Sequence, residues 1–191
     1  MSNVFHRFAP FIQDYIYRCK WEELREIQVL AAEAIFDTDE NLLLSSGTAS
    51  GKTEAAFLPV LTQLWENPSA SVGVLYLSPL KALINDQFER LEGLLEEAAI
   101  PVTKWHGDAS AAAKKRVMKR PQGIIQTTPE SLESMLMHNS SGAFKLFSDL
   151  RFVIIDEMHY FMDNDRGLQL LCLLERLARL IGYHPRRIGL S

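Results

Sequence analysis

The stretch 41–57, NLLLSSGTASGKTEAAF, decides the fold, because it joins an apolar strand to a helical segment through a loop rich in glycine and serine. A loop of this kind between a strand and a helix is typical of a phosphate-binding site. Its backbone N–H groups point inward, and the following helix adds the positive end of its dipole. The sequence therefore predicts a nucleotide site formed by Ser46, Gly47, Thr48, Ala49, Ser50, Gly51, Lys52 and Thr53.

Three residues of this loop have distinct expected roles. Gly51 allows close backbone approach and dihedral angles that are unfavourable for other residues. Lys52 is expected to reach the β- and γ-phosphates, and the Thr53 hydroxyl to ligate Mg²⁺. Ser46 replaces the first glycine of the general pattern. The alternative is a Gly/Ser turn that precedes Lys-Thr by chance, which the strand before the loop and the helix after it disfavour.

On both sides of the loop, short apolar runs alternate with amphipathic segments, which is typical of βαβ units. The runs 72–77 and 152–155 are almost entirely apolar, as expected of strands covered on both faces. We therefore predict an α/β fold with a mostly parallel sheet and helices on both faces. The predicted strands are 41–45, 72–78, 102–105, 123–127, 152–156 and 187–191, and the predicted helices are 21–36, 52–65, 81–98, 110–119, 130–138 and 167–181. Turn-forming clusters separate these segments, including Asn-Ser-Ser-Gly at 139–142.

An acidic pair directly follows the apolar run 152–155. In open α/β sheets, ligands bind at the carboxyl ends of the strands. Asp156 is expected to hold Mg²⁺, and Glu157 to orient and deprotonate the water that attacks the γ-phosphate. His159 is expected to pass the state of the nucleotide to neighbouring elements. With the phosphate loop, this pair predicts nucleotide hydrolysis, in which Lys52, Asp156 and Glu157 are the catalytic residues.

The length and composition indicate one main domain. The chain has 191 residues, of which 47% are hydrophobic and 23% charged, enough for one well-filled core. We expect residues 1–20 to form an aromatic-rich helical segment that packs on a domain formed by residues 21–191. The aromatic stripe is Phe5, Phe8, Phe11, Tyr15 and Tyr17, and its alternative role is stacking of one ring on a nucleotide base.

The net charge of −4 disfavours binding to nucleic acid by bulk charge alone. One basic cluster is expected to be a solvated helix face, and its alternative role is a local track for nucleic acid. Its residues are Lys114, Lys115, Arg116, Lys119 and Arg120. The apolar runs are shorter than a membrane span. We do not expect secretion, because the first residues contain neither a continuous apolar run nor a small-residue cleavage site. Cys19 and Cys172 are expected to be reduced, partly buried thiols, which favours the cytoplasm.

These motifs together resemble the first motor domain of superfamily-two helicases of the DEAD/DEAH-box type, from about Trp21 to the end of the chain. The stretch 76–83 (YLSPLKAL) with Asp86-Gln87 looks like motif Ia, 127–132 (TTPESL) like motif Ib, and 189–191 (GLS) like the start of motif III. The large-helicase-related (Lhr-like) branch is closest, on three further stretches: 52–59 (KTEAAFLP), 106–108 (HGD), and 166–170 (RGLQL) leading into 174–177 (LERL).

The resemblance implies a RecA-like P-loop NTPase domain that uses ATP and Mg²⁺. Gln28 stands where the family places a glutamine that reads adenine, since its amide can donate and accept hydrogen bonds. The loop departs from the common Ala-Pro-Thr-Gly-Ser form at Ser46, Gly47 and Ala49, while its other residues preserve nucleotide binding. Motifs Ia and Ib imply backbone contacts to one strand of DNA or RNA from Pro79, Lys81, Gly107, Thr128 and Glu130. Instead of contacting nucleic acid, these residues could be ordinary helix caps, and Lys81 could be a solvated charge.

The function implied is an ATP-dependent nucleic-acid helicase or translocase that couples ATP hydrolysis to strand movement or unwinding. A second RecA-like domain, expected to supply an arginine finger, is missing from a chain that stops at motif III. The isolated chain is therefore expected to bind nucleotide weakly and to be nearly inactive. The alternatives are a P-loop kinase or small NTPase with a soluble substrate, and a nucleic-acid-binding scaffold module with a degenerate site.

Overall fold

The computed structural model describes residues 3–47, 50–80, 89–107 and 109–191. The strands are β1 Leu42–Leu44, β2 Val74–Leu77, β3 Val102–Trp105, β4 Ile124–Thr127, β5 Phe152–Ile155 and β6 Arg186–Leu190. The helices are α1 Pro10–Arg18, α2 Glu26–Asp37, α3 Lys52–Glu66, α4 Glu89–Glu97, α5 Ala111–Lys119, α6 Pro129–His138, α7 Ser140–Phe147 and α8 Asp165–Ile181, with 3-10 turns at Asn3–Arg7 and Met158–Phe161. Within these ranges, none of the helices is long and apolar enough to cross a membrane.

The six strands form one sheet in the order β1-β6-β5-β2-β4-β3, and every pair is parallel. The predicted α/β fold is therefore confirmed, and all six predicted strands are present. The order places β6 between β1, which leads into the phosphate loop, and β5, which leads into the acidic pair. Because all strands are parallel, the segments that follow them meet at one edge of the sheet.

Alternate side chains along the strands fill two separate cores. Tyr76 and Ile154 point to the face covered by α1, α2, α3 and α4, whereas Leu75 and Val153 point to the face covered by α6, α7 and α8. This alternation follows from the two-residue period of a strand. It explains why the central strands are apolar at every position, since both faces are covered.

The N-terminal residues pack on the first of these cores. Phe5, Phe8, Ile12 and Ile16 are each at most 3% exposed. Tyr17 is 57% exposed, and its ring meets that of Phe5 edge to face with 5.3 Å between centroids. The spacing of the aromatic residues in this segment therefore reflects mainly the burial of one helical face, and Tyr17 is the exposed exception.

The turn-forming cluster at 139–142 does separate two segments, but the break is Asn139 alone, and a helix that was not predicted, α7, begins at Ser140. The Asn139 side chain accepts a hydrogen bond from the Gly142 backbone N–H at 3.1 Å and so caps the helix. Asparagine and serine interrupt a helix interior but favour a helix start. Burial of Ala143, Leu146 and Phe147 in the second core then stabilises this short helix.

The two cysteines also differ from expectation, since Cys19 and Cys172 are both exposed rather than partly buried. Cys19 follows the last residue of α1, and Cys172 lies on α8. The neighbours of Cys172 at Leu170, Leu173 and Leu174 face the core and turn it outward. An apolar helical sequence around a cysteine therefore does not by itself decide which face the thiol occupies.

Candidate functional site

The phosphate loop leaves β1 and enters α3 through Gly51. Gly51 has a φ of +84°, in the left-handed region that glycine adopts without strain. The Lys52 ammonium donates hydrogen bonds to the backbone carbonyls of Ser46 at 2.6 Å and Gly47 at 3.1 Å. The hydroxyls of Ser46 and Ser50 are hydrogen-bonded to each other. The Lys52 cation is thus held over its own loop, where a phosphate oxygen would be a stronger, charged acceptor.

Two of the expected loop residues, Thr48 and Ala49, lie outside the described residues, as do Lys81 and Asp108. Thr53 lies in the first turn of α3 and is partly buried. The Gln28 side chain, 2% exposed, lies against this loop, because its Nε2 is 3.0 Å from the place where a Cβ on Gly51 would be. Its Oε1 accepts a hydrogen bond from the Arg25 backbone N–H at 3.0 Å.

The acidic pair combines an anchored residue with an accessible one. Asp156 is 4% exposed, and its carboxylate accepts a hydrogen bond from the Tyr76 hydroxyl at 2.7 Å. Glu157 is partly exposed and has a φ of +48°, which is strained for a residue with a Cβ. The Nδ1 of His159 lies 3.3 Å from the Glu157 carboxylate. The backbone strain therefore occurs at the residue expected to act on the attacking water.

Tyr76 is a site residue that the sequence analysis did not single out. Its pKa is raised well above the ordinary value of 10.0, first by burial and then by the negative charge and hydrogen bond of Asp156. The phenol therefore stays protonated and remains a donor to Asp156. The available signal was a polar hydroxyl in an otherwise apolar strand, since a buried hydroxyl requires a partner.

We expect Tyr76→Phe to lower the free energy of unfolding by about 1–3 kcal/mol at neutral pH, because a buried carboxylate oxygen loses its donor. Wild-type stability should then fall as pH rises above 10.0, since the unfolded tyrosine loses its proton there and the folded one does not. The difference in free energy of unfolding between wild type and Tyr76→Phe should therefore become smaller at high pH. Urea unfolding at neutral pH and at about pH 11 measures this. Tyr17→Phe, at an exposed hydroxyl, is the control, and an equal loss there would contradict the assignment.

The residues that resemble motif III contact both halves of the candidate nucleotide site. The Ser46 backbone N–H donates to the Ser191 carbonyl at 3.1 Å, and the Ser191 N–H donates to the Leu44 carbonyl at 2.9 Å. A Cβ on Gly189 would lie only 2.8 Å from the Met158 side chain, next to the acidic pair. The end of β6 therefore supports the phosphate loop on one side and the segment after Glu157 on the other.

A groove of about 600 Å³ opens at the same edge of the sheet, beyond β2, β4 and β3. Four of the five residues expected to contact nucleic acid line it, namely Pro79, Gly107, Thr128 and Glu130. The fifth, Lys81, is outside the described residues. The Thr128 hydroxyl also caps α6 by accepting a hydrogen bond from the Ser131 N–H at 3.4 Å. The helix-cap interpretation and the groove position therefore both apply to Thr128.

Among the residues that the structure describes, the cations Lys114 and Arg166 line this groove. Lys114 donates to the His106 carbonyl at 2.6 Å and lies 5.6 Å from the centroid of the Trp105 ring. Arg166 forms an ion pair with Glu130 at 2.7 Å. Burial raises the pKa of Glu130, but hydrogen bonds from its own backbone and from Arg166 outweigh this and leave the pKa below its usual range. The rest of the basic cluster is exposed on or just after α5 and does not line the groove.

Comparison with known proteins gives concordant results. The family model for DEAD/DEAH box helicases matches residues 25–191. The ATP-dependent helicase Lhr-Core of Methanothermobacter thermautotrophicus is 35% identical over 198 residues, which cover 95% of this chain and 22% of the relative. The solved structure of Mycobacterium smegmatis helicase Lhr bound to ssDNA and AMP-PNP matches the whole chain and 25% of its own length, with 32% identity and a TM-score of 0.82.

The helicase MrfA bound to DNA is a further structural relative, with 28% identity and a TM-score of 0.85 over the whole chain and 27% of its own length. The chain thus spans about a fifth to a quarter of the length of these relatives. The resemblance inferred from the motifs, including that to the Lhr-like branch, is confirmed by these matches. With its all-parallel sheet, phosphate loop and acidic pair, the chain belongs to the DEAD/DEAH box helicase family.

Proposed function

We propose that this chain is the ATP-binding first motor domain of an ATP-dependent helicase or translocase that acts on single-stranded nucleic acid. One observation carries the proposal: the segments that contain the phosphate loop and the acidic pair lie beside the groove at the carboxyl edge of one sheet. The site follows β1 and β5, and the groove follows β2, β3 and β4. Since β5 and β2 are neighbours in the sheet, the segments beside the site and those beside the groove are adjacent.

The described residues suit a nucleotide with bound Mg²⁺. A left-handed Gly51, the Lys52 ammonium and the start of α3 form a cradle for phosphates. We assign the metal to Thr53 and to the buried Asp156, which Tyr76 orients; the ion would neutralise charge on the phosphates. Glu157, accessible and paired with His159, would act on the attacking water. Gln28, beside the loop, would read the adenine.

The groove suits a nucleic-acid backbone more than base edges. It offers the first turn of α6 and the Lys114 ammonium, which favour phosphate. Similar proteins of known structure carry ssDNA or DNA. Pro79, Gly107, Thr128 and Glu130, with Lys81, would therefore contact one strand of DNA or RNA. We further propose a second RecA-like domain as partner and a cytoplasmic location.

The alternative of a P-loop kinase or small NTPase with a soluble substrate leaves the groove without a role. A scaffold module with a degenerate site is disfavoured by the intact Lys52, Asp156 and Glu157. A single measurement distinguishes all three. The full-length protein is assayed for ATP hydrolysis with increasing amounts of single-stranded DNA or RNA, and separately without nucleic acid.

We expect single strands to stimulate ATP hydrolysis strongly, and the stimulation to weaken as salt is raised, because phosphate contacts release counterions. Hydrolysis at the same rate with and without nucleic acid would overturn the helicase proposal and favour a soluble substrate. Strand binding without any hydrolysis would instead favour the scaffold.

A further inference from the structure

The Arg-Gly pair at 166–167 was part of the resemblance to the Lhr-like branch, yet it has no role in the nucleotide site. We propose that Arg166 is a positioning residue for the nucleic-acid strand, and that it holds the segments after β2 and β4 together so that both contact the same strand. This inference rests on the proposed function, because it presupposes that a strand lies in the groove.

The contacts of Arg166 join two segments that are distant in sequence. One terminal nitrogen of its guanidinium, Nη2, lies 3.0 Å from the Pro79 carbonyl and 2.7 Å from the Glu130 carboxylate. Pro79 follows β2, and Glu130 lies in the first turn of α6, after β4. Since β2 and β4 are neighbours in the sheet, Arg166 links the two adjacent segments that form one wall of the groove.

These contacts are better suited to positioning than to stability. The side chains of Arg166 and Glu130 are 39% and 54% exposed, and exposed ion pairs contribute little to the free energy of folding. A guanidinium is planar and has five donors, so it can bond a carbonyl and a carboxylate together, whereas a lysine ammonium acts as a point charge. The contact with Glu130 also offsets a negative charge that would repel phosphate in the groove.

The place of Arg166 is determined by the residue that follows it. A Cβ on Gly167 would lie 1.9 Å from the Phe161 carbonyl oxygen, so a side chain there would force the two backbones apart. The Asn164 side chain caps the same turn by accepting from the Gly167 N–H at 3.2 Å, and it donates to the Tyr160 and Met162 carbonyls at 2.9 Å. The start of α8 is thereby attached to the segment that follows Glu157.

This attachment gives the positioning role a physical connection to the nucleotide site. A shift of the segment after Glu157 would move Gly167 with it, because the backbones are in contact. Arg166 would then move relative to Pro79 and Glu130. The strand-binding wall and the acidic pair are therefore connected through one turn of α8.

The same two helices supply a matched control. The Gln169 side chain donates to the Glu133 carboxylate at 2.7 Å, so it also joins α8 to α6 through an exposed polar contact. Neither residue lines the groove. Gln169→Ala therefore tests whether any loss of α6–α8 contact is enough to weaken strand binding.

The test uses the full-length protein and a single-stranded oligonucleotide, with the strand concentration for half-maximal stimulation of ATP hydrolysis as the readout. Arg166→Ala should raise this concentration roughly tenfold, as expected when a charge-assisted hydrogen bond is lost. The half-maximal concentration of Arg166→Lys should lie between those of Arg166→Ala and wild type, and that of Gln169→Ala should equal the wild-type value. In a Glu130→Gln background, Arg166→Ala should have a smaller effect, because the two act through one contact.

The salt dependence separates positioning from direct phosphate contact. A positioning residue leaves the slope of log affinity against log salt unchanged, whereas loss of a phosphate contact reduces it by about one. A reduced slope, an unchanged half-maximal concentration, or an equal effect of Gln169→Ala would each overturn the inference. Should Arg166→Ala fail to fold, Arg166→Lys carries the same readouts. Failure of the wild-type protein to respond to strands would instead refute the proposed function.

Discussion

Glu157→Gln in the full-length protein is expected to abolish ATP turnover and to retain ATP binding. The amide keeps the size and backbone of the residue but cannot take a proton from the attacking water, and loss of a general base costs about 10²–10⁴-fold in rate. The expectation rests on an accessible carboxylate next to His159, at a strained backbone position where the structure tolerates a φ of +48°.

Single-turnover ATP hydrolysis and nucleotide binding, measured on the same preparation, check this result. Glu66→Gln, which changes an exposed carboxylate at the end of α3, is the control and should match wild type in both assays. Loss of ATP binding together with turnover would show that Glu157 supports the structure of the site and does not act on water.

Lys52→Ala is expected to lose nucleotide affinity together with turnover. The ammonium donates hydrogen bonds to the carbonyls of Ser46 and Gly47. When nucleotide binds, it would donate to phosphate oxygens instead. Removing one charged hydrogen-bond donor costs about 1.5–3 kcal/mol, which weakens binding by roughly ten- to a hundredfold. Turnover should fall further, because the same charge stabilises the transferring phosphoryl group.

Titration with a fluorescent ATP analogue, followed by steady-state hydrolysis, measures both effects. Lys145→Ala on α7 removes an exposed lysine far from the loop in sequence and should change neither. Unaltered affinity in Lys52→Ala would contradict the assigned role. The two variants thus have different expected signatures, since one separates binding from turnover and the other removes both.

Much of the fold could be predicted because its signals are local. The buried runs at β2 and β5 and the strand–loop–helix pattern at the phosphate loop depend on residues that are neighbours in sequence. The start of α7 was missed for a related reason. Asn139, Ser140 and Gly142 favour both turns and helix starts, and burial of Leu146 and Phe147 decided between the two.

The residues of the candidate site likewise fall into those that local sequence predicts and those that it does not. The phosphate loop and the acidic pair were found from their own residues and from the apolar strands before them. Tyr76 and Arg166 were missed as site residues, because their partners are far away along the chain. Tyr76 reaches Asp156 across 80 positions, and Arg166 reaches Pro79 across 87. No pattern in the sequence indicates those pairs.

The residue order alone was enough to predict the class of fold and the family and to indicate nucleotide chemistry, since dihedral preference, side-chain period and loop composition act over a few residues. The strand order, the groove and the contact of Ser46 with Ser191 required the folded chain. These depend on which strands become neighbours, and that choice follows from burying two apolar faces of one sheet at once. Folding therefore brings a recognisable phosphate loop and the proposed strand-binding wall, which is harder to recognise, to the same edge.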